Sequence, residues 1–438
     1  MAKLALLGGA PVRTEPFSAY NTIGEEEKAA VLKVLDSGNL SQFIGAWHED
    51  YFGGPKVREF EEQWSKTFGV KHTISVNSNT SGLIAALAAC GIGAGDEVVV
   101  SPYTMTASAV APAILGAVPV FADIDPEIFC LDPQSIKERI TARTKAILVV
   151  HIFGQPSDMD PIMEIAKQHK LAVIEDCAQC PTATYKGRYA GTIGHCGIFS
   201  LNYHKHIHTG EGGMVITNDP DLAERLQLVR NHGEAVVEGK GCGHLSQIMG
   251  FNFRMPEIEA AIGIEQLKKA PALIARRIAN AAFFAERLGG MEGFTPPKIQ
   301  ENCSHVYYCQ PFKFDRQVIG VHRNSFVAAM KAELPPTVLR ETTPLITAGY
   351  VRPLYLQPLY QQRTLRCSFN CPQYGGQVSY ERGICPVAER MHFDELLTHE
   401  FMRPSMSTKD MADVMDAFYK VYENREALRQ WEMDGQQG

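Results

Sequence analysis

The stretch S-L-N-Y-H-K-H-I-H-T-G-E-G-G-M-V-I-T (200–217) sets one lysine, Lys205, among polar and small residues just ahead of a glycine-rich turn. Upstream, the apolar run 171–174 ends in Glu175 and Asp176. Outward from these two points the chain alternates apolar strand-like runs with amphipathic or alanine-rich segments. Strands are predicted over 72–76, 97–100, 119–122, 146–150 and 171–174, and helices over 57–68, 80–90, 105–115, 135–140 and 159–169. Such alternation predicts an α/β fold with a mostly parallel central sheet covered on both faces. Ligands bind such sheets beyond the carboxyl ends of the strands.

A lysine near the carboxyl end of one strand and an aspartate at the end of another suit pyridoxal 5'-phosphate (PLP) chemistry. The amine of Lys205 would bind the cofactor aldehyde as a Schiff base, and Asp176 would keep the pyridine nitrogen protonated. Each alone is more simply read as a surface charge; their order and surroundings favour the cofactor.

The 438 residues exceed one typical core and predict unequal domains. We place an N-terminal arm and active-site loop at 1–54, with a helix at 25–36. A large cofactor domain follows at 55–288 and ends in a long helix over 256–288. A smaller α+β domain occupies 289–438. The net charge of -7 argues against non-specific nucleic-acid binding. No run matches a transmembrane helix, and the N-terminus is too short in apolar residues for a signal peptide; together these predict a cytoplasmic protein. Cys177 and Cys180 form a C-x-x-C outside any thioredoxin-like setting. Cys367, Cys371 and Cys385 lack a completing ligand pair, so reduced thiols and no metal are expected.

Eight blocks in order resemble one family. They are V-N-S-N-T-S-G-L-I-A-A-L (76–87), G-A-G-D-E-V-V-V-S-P-Y-T (93–104), G-A-V-P-V-F-A-D-I-D (116–125) and V-H-I-F-G-Q-P (150–156). V-I-E-D-C-A-Q (173–179), the lysine block, G-F-N-F-R-M-P-E-I-E-A-A-I-G-I-E-Q-L (250–267) and P-L-Y-L-Q-P-L-Y (353–360) complete the set. The chain resembles the DegT/DnrJ/EryC1/StrS aminotransferases, PLP enzymes of fold type I that aminate keto-sugars or keto-cyclitols.

The resemblance implies that Lys205 carries the cofactor and moves the proton, and that Asp176 pairs with the pyridinium. Gln179 matches a glutamine near the ring's phenolic oxygen, and His151 is either a family histidine or a core one. Asn79 and Thr80 would hold the phosphate at a helix N-terminus, where free N–H groups favour an anion; Asn79 stands where glycine is usual. Ser200 would donate to the same phosphate. Asn252 matches an asparagine given across a dimer interface, which implies a homodimer with composite sites. Met105 stands where an aromatic usually covers the ring; either it does so through its sulfur or Tyr103 replaces it. His204, His206 and His208 would share one face of a strand. They fit a pocket for substrate, through His204 or His206, better than a metal site.

The implied reaction is ping-pong transamination from L-glutamate or L-glutamine to a keto-sugar or keto-cyclitol. Two alternatives stand beside it. A PLP-dependent sugar dehydratase would carry histidine in place of Lys205, and a non-catalytic sensor would have lost the lysine, the aspartate or the phosphate ligands. A nucleotide-linked acceptor would need cations such as Arg230 or Arg254, and the segments 39–54 and 361–383 are expected to select the acceptor.

Overall fold

The computed structural model describes residues 2–245, 248–339, 341–363 and 372–435. The strands of the main sheet are β1 (His72–Val76), β2 (Glu97–Val100), β3 (Val118–Phe121), β4 (Thr144–Val150), β5 (Ala172–Asp176), β8 (Cys196–Ser200) and β9 (Gly213–Thr217). Between β5 and β8, β6 (Thr184–Tyr185) and β7 (Arg188–Tyr189) form a small hairpin. The sheet order is β1-β9-β8-β5-β4-β2-β3. Every neighbouring pair from β8 to β3 is parallel, while β9 runs antiparallel to both of its neighbours. β2 is E-V-V-V and buried at every position, as expected for a strand covered on both faces.

Helices α1 (Glu25–Ser37), α2 (Pro55–Phe68), α3 (Asn79–Ala89), α4 (Ala107–Ile114), α5 (Pro133–Arg139) and α6 (Met159–His169) alternate with these strands or precede them. α5 starts earlier than the composition of 135–140 predicts. Asp132 caps it by accepting from the N–H groups of Gln134 and Ser135, and Pro133 fills the first turn. α3 is apolar nearly all round because it packs flat on the sheet, and Gly82 permits the approach. A Cβ there would stand 2.7 Å from Ile198 Cγ2.

Beyond β9 come α7 (Pro220–Arg230), the single turn α8 (Val237–Lys240) and the 33-residue α9 (Glu257–Gly289). α9 packs against α1 and α2, and its buried Gln266 bonds Thr22 and Glu27. The second sheet is antiparallel, in the order β10 (Phe294–Thr295), β11 (Gln310–Phe314), β13 (Leu396–His399), β12 (Ile346–Ala348). One continuous apolar cluster runs from Val98 and Leu148 in the first sheet to Phe312 and Leu397 in the second.

The first residues pack on the far end of the chain. Arg13 pairs with Asp410 at 2.6 Å and Asp413 at 2.9 Å, and Phe17 is fully buried against Phe401. The segment 39–54 is held by Asn231, whose amide donates to the carbonyls of Ile44 and Tyr51. Within 361–383, the described part lies against the amino ends of the strands: Tyr374 bonds Glu97 and Tyr380 bonds the Pro119 carbonyl. That part therefore sits at the amino ends of the strands, opposite Lys205. Cys367 and Cys371 lie outside the described residues, and the cysteines described are free thiols. Among the described residues no helix is long and apolar enough to cross a membrane.

Candidate active site

The carboxyl ends of the parallel strands converge on one edge. Asp176 ends β5, Ser200 ends β8, and Asn79 opens α3 just after β1. Lys205 lies in the loop between β8 and β9. Its N–H donates to the Asn202 carbonyl at 2.9 Å, and Tyr203 N–H donates to Gly210 at 2.9 Å. The loop is turn-rich, so the three histidines do not alternate on a strand face. His206 is fully buried with Nε2 2.9 Å from the Val306 carbonyl, behind the cavity rather than on it. His208 is half-buried, its N–H reaching Gln266. His204 lines a cavity of about 450 Å³ with Tyr203, Tyr350, Glu400 and Arg403.

The Lys205 amine stands 4.1 Å from the centroid of the Tyr308 ring. Burial pulls its pKa down to about 8, against the upward pull of Asp176 and Glu400. Asp176 is 4% exposed. Its Oδ1 accepts from Ala178 N–H at 3.1 Å and the Asn79 amide at 3.3 Å, and its Oδ2 accepts from Ser108 Oγ at 3.0 Å. Burial raises the Asp176 pKa, partly offset by Ala178, Ser108, Lys205 and Asn79. Lys205, Asp176 and Asn79 are thus brought together, with Ser108 as a partner that the sequence reading missed.

Gln179 is buried, with Oε1 accepting from Phe153 N–H at 2.7 Å and Nε2 donating to Tyr350 Oη at 2.8 Å. Tyr103 is fully buried and its hydroxyl accepts from Tyr350 N–H at 2.8 Å. Met105, by contrast, is 60% exposed. Asn252 is exposed, and its Oδ1 accepts from Arg254 Nε at 2.8 Å; no hydrogen bond joins it to Lys205 or Asp176 among the described residues. Arg230, expected as a loop cation, ends α7 instead. It is 1% exposed, paired with Glu61 at 2.6 Å and set over Phe43, so it is committed to the core.

Glu175 faces away from Asp176, as successive strand residues must. Its Oε1 accepts from Ile193 N–H at 2.8 Å and Gly194 N–H at 2.5 Å. Its Oε2 accepts from Gly191 N–H at 2.8 Å and His151 Nε2 at 2.9 Å. His151 Nδ1 takes Ser157 N–H at 3.0 Å, so both ring nitrogens are used. His151, Cys177 and Cys180 lie close enough to share an ion, but a metal would have to displace those bonds. A larger cavity of about 980 Å³ opens at the amino ends of β4 and β5, away from all of these groups.

The residues fit a phosphate-bearing pyridine. The first turn of α3 offers N–H donors at Asn79 and Thr80, and Asn79 Oδ1 is buried without a partner. Gly213 makes that turn approachable by β9: a Cβ there would stand 2.7 Å from the Ser78 carbonyl carbon and 2.9 Å from Asn79 N. Ser200 pairs with Gly213 across the strands, and its hydroxyl accepts from Asn202 N–H at 3.3 Å.

A mostly parallel sheet of this order, with a lysine and a buried aspartate on its carboxyl edge, is that of a fold type I aminotransferase. The DegT/DnrJ/EryC1/StrS aminotransferase family matches residues 21–419, and the chain belongs to that family. It is 35% identical over 429 residues to the L-glutamine:2-deoxy-scyllo-inosose aminotransferase of Streptomyces lividus, covering 95% of this chain and 97% of that protein. It is 33% identical over 401 residues to the spore coat polysaccharide biosynthesis protein SpsC of Bacillus subtilis, covering 90% and 94%. The solved aminotransferase of Psychrobacter cryohalolentis superposes with a TM-score of 0.80 at 31% identity, covering 94% of this chain and all of that one.

Proposed function

We propose that the protein holds PLP through Lys205 and transfers an amino group from L-glutamate or L-glutamine to a keto-sugar or keto-cyclitol, in two half-reactions at one site. The observation that carries this reading is the pairing on one sheet edge of an amine pulled down to about 8 with a buried carboxylate. When bound, the cofactor supplies an electron sink for the carbanion left by proton loss. Asp176, fixed by Ser108, Asn79 and Ala178 N–H, holds a proton at the pyridine nitrogen. Lys205 Nζ would take the proton from the donor's α-carbon and deliver it to the cofactor's C4′ carbon, and would run the same transfer in reverse with the acceptor. Asn79, Thr80 and Ser200 would hold the phosphate, Met105 would cover the ring, and Gln179, fixed by its bonds to Phe153 N–H and the Tyr350 hydroxyl, would serve the phenolic oxygen. Asn252 serves the site of a second copy, in a cytoplasmic homodimer. The glutamine-dependent relative that covers nearly the whole chain supports the donor and a cyclitol acceptor. A lysine on the cavity side, with His206 turned inward, supports transamination over dehydration.

The test is the visible absorbance of the PLP-loaded protein before and after excess L-glutamine, beside Lys205→Ala. A lysine-dependent band that the donor discharges, with release of keto acid, is the expected result. Absence of any lysine-dependent band refutes the assignment.

A further inference from the structure

Arg403 is the one lysine or arginine among the described residues that line the cavity beside Lys205. Its side chain is 7% exposed and clamped between two carboxylates. Nη1 donates to Glu341 Oε1 at 2.6 Å, and Nη2 and Nε donate to Glu400 Oε2 at 2.6 and 3.1 Å. Arg403 and Glu341 also line a second, smaller cavity of about 30 Å³ toward Tyr20 and Leu339, so their ion pair stands between the two spaces. Thr342, Thr343, Thr347 and Thr398 add four threonines to the polar lining of the larger one.

Resting on the transamination reading, this cavity must serve two substrates of unlike charge in turn. An amino-acid donor brings a carboxylate, and a keto-polyol brings hydroxyls. A carboxylate entering a partly desolvated site needs a cation, and a guanidinium fork is the best match. We infer that Arg403 binds the α-carboxylate of the donor by exchanging Glu341 for it. Glu341 is the partner that yields: it holds Arg403 through one bond where Glu400 uses two, and it keeps a second bond from the Thr337 hydroxyl when released. After the keto acid leaves, Glu341 returns and neutralises Arg403. The acceptor then meets carboxylate and threonine oxygens, which suit hydroxyl groups.

The experiment compares the PLP-loaded wild type with Arg403→Met, Arg403→Lys and Glu341→Gln. Single-turnover donor half-reactions are run with L-glutamine and with 4-aminobutanamide, which is glutamine without its α-carboxylate. Arg403→Met is expected to weaken L-glutamine about 10- to 100-fold, the range for one charge-assisted contact. It should leave 4-aminobutanamide, already weak on the wild type, unchanged. Glu341→Gln removes the competitor and should bind L-glutamine several-fold more tightly, a change of opposite sign. Equal loss with both amines in Arg403→Met, or weaker binding in Glu341→Gln, overturns the inference. Should Arg403→Met not fold by thermal melting, Arg403→Lys and Glu341→Gln decide. Calorimetric titration of 2-oxoglutarate needs no turnover, and equal affinity in wild type and Arg403 variants would also overturn it. A wild type that binds 2-oxoglutarate but converts no donor refutes the transamination reading instead.

Discussion

Replacing Glu175 should disrupt the fold around the site without touching any group placed at the cofactor. The carboxylate is fully buried and receives three backbone N–H groups and His151 Nε2. Each buried donor left unpaired costs about 1–3 kcal/mol. Glu175→Gln keeps one acceptor oxygen, but its amide must face two N–H groups from whichever side it turns, a cost of roughly 2–6 kcal/mol. Glu175→Ala strands all four donors, roughly 4 kcal/mol or more, against a total stability of about 5–15 kcal/mol. The alanine variant should therefore lie at the edge of folding, with glutamine between it and the wild type. Urea unfolding gives the order, and hydrogen exchange at Gly191, Ile193 and Gly194 gives the cause, since those amides should lose protection first. An alanine variant within about 1 kcal/mol of wild type, with those amides still protected, would refute the reasoning. The pH dependence has a definite sign. Burial pushes Glu175 up, but the bonds from His151, Gly194 and Gly191 outweigh it and leave its pKa below the ordinary value of 4.5. Its stabilisation is present in full above that value and is lost as pH falls through the lower folded value.

Gly213→Ala should drive a methyl into the Ser78–Asn79 backbone and cost about 1–3 kcal/mol; the expected result is at least a several-fold rise in the PLP dissociation constant, measured by fluorescence titration. Ser108→Ala removes a hydroxyl donor from Asp176, and kcat should fall about tenfold or more while Ser108→Thr recovers part of it. The rate at which the apoprotein captures PLP should climb as pH rises through about 8, where the Lys205 amine loses its proton, and level off above it; stopped-flow absorbance reads this directly. A rate that is flat across that window would place the reacting amine elsewhere.

The alternation of valine-rich runs with alanine-rich helices made the sheet legible, because parallel strands buried on both faces are apolar throughout. The reversal of β9 was not legible, since G-M-V-I-T reads as a strand in either direction. Lys205 and Asp176 stood out because their neighbours form motifs. Ser108, Tyr308, Tyr350 and Arg403 did not, since each reaches the site from a separate segment and shows its role only through contacts. Glu175 left a signal: an acid next to another at the end of an apolar strand must face the opposite layer and needs donors there. The histidine triplet misled for a local reason. Asn202 accepts Lys205 N–H on its carbonyl and His204 N–H on its side-chain oxygen, so the chain turns where alternation would have required it to extend.

The packing of residues 4–17 on the far end of the chain has a consequence for synthesis. Ala5, Val12, Arg13 and Phe17 leave the ribosome long before their partners Glu333, Phe401, Asp410 and Asp413. The nascent chain must carry this apolar segment unpaired until those partners follow, while the first sheet can already close. Completion of the second sheet is then the event that draws the opening residues in, and fusions that delay release of the C-terminal helices will prolong their exposure.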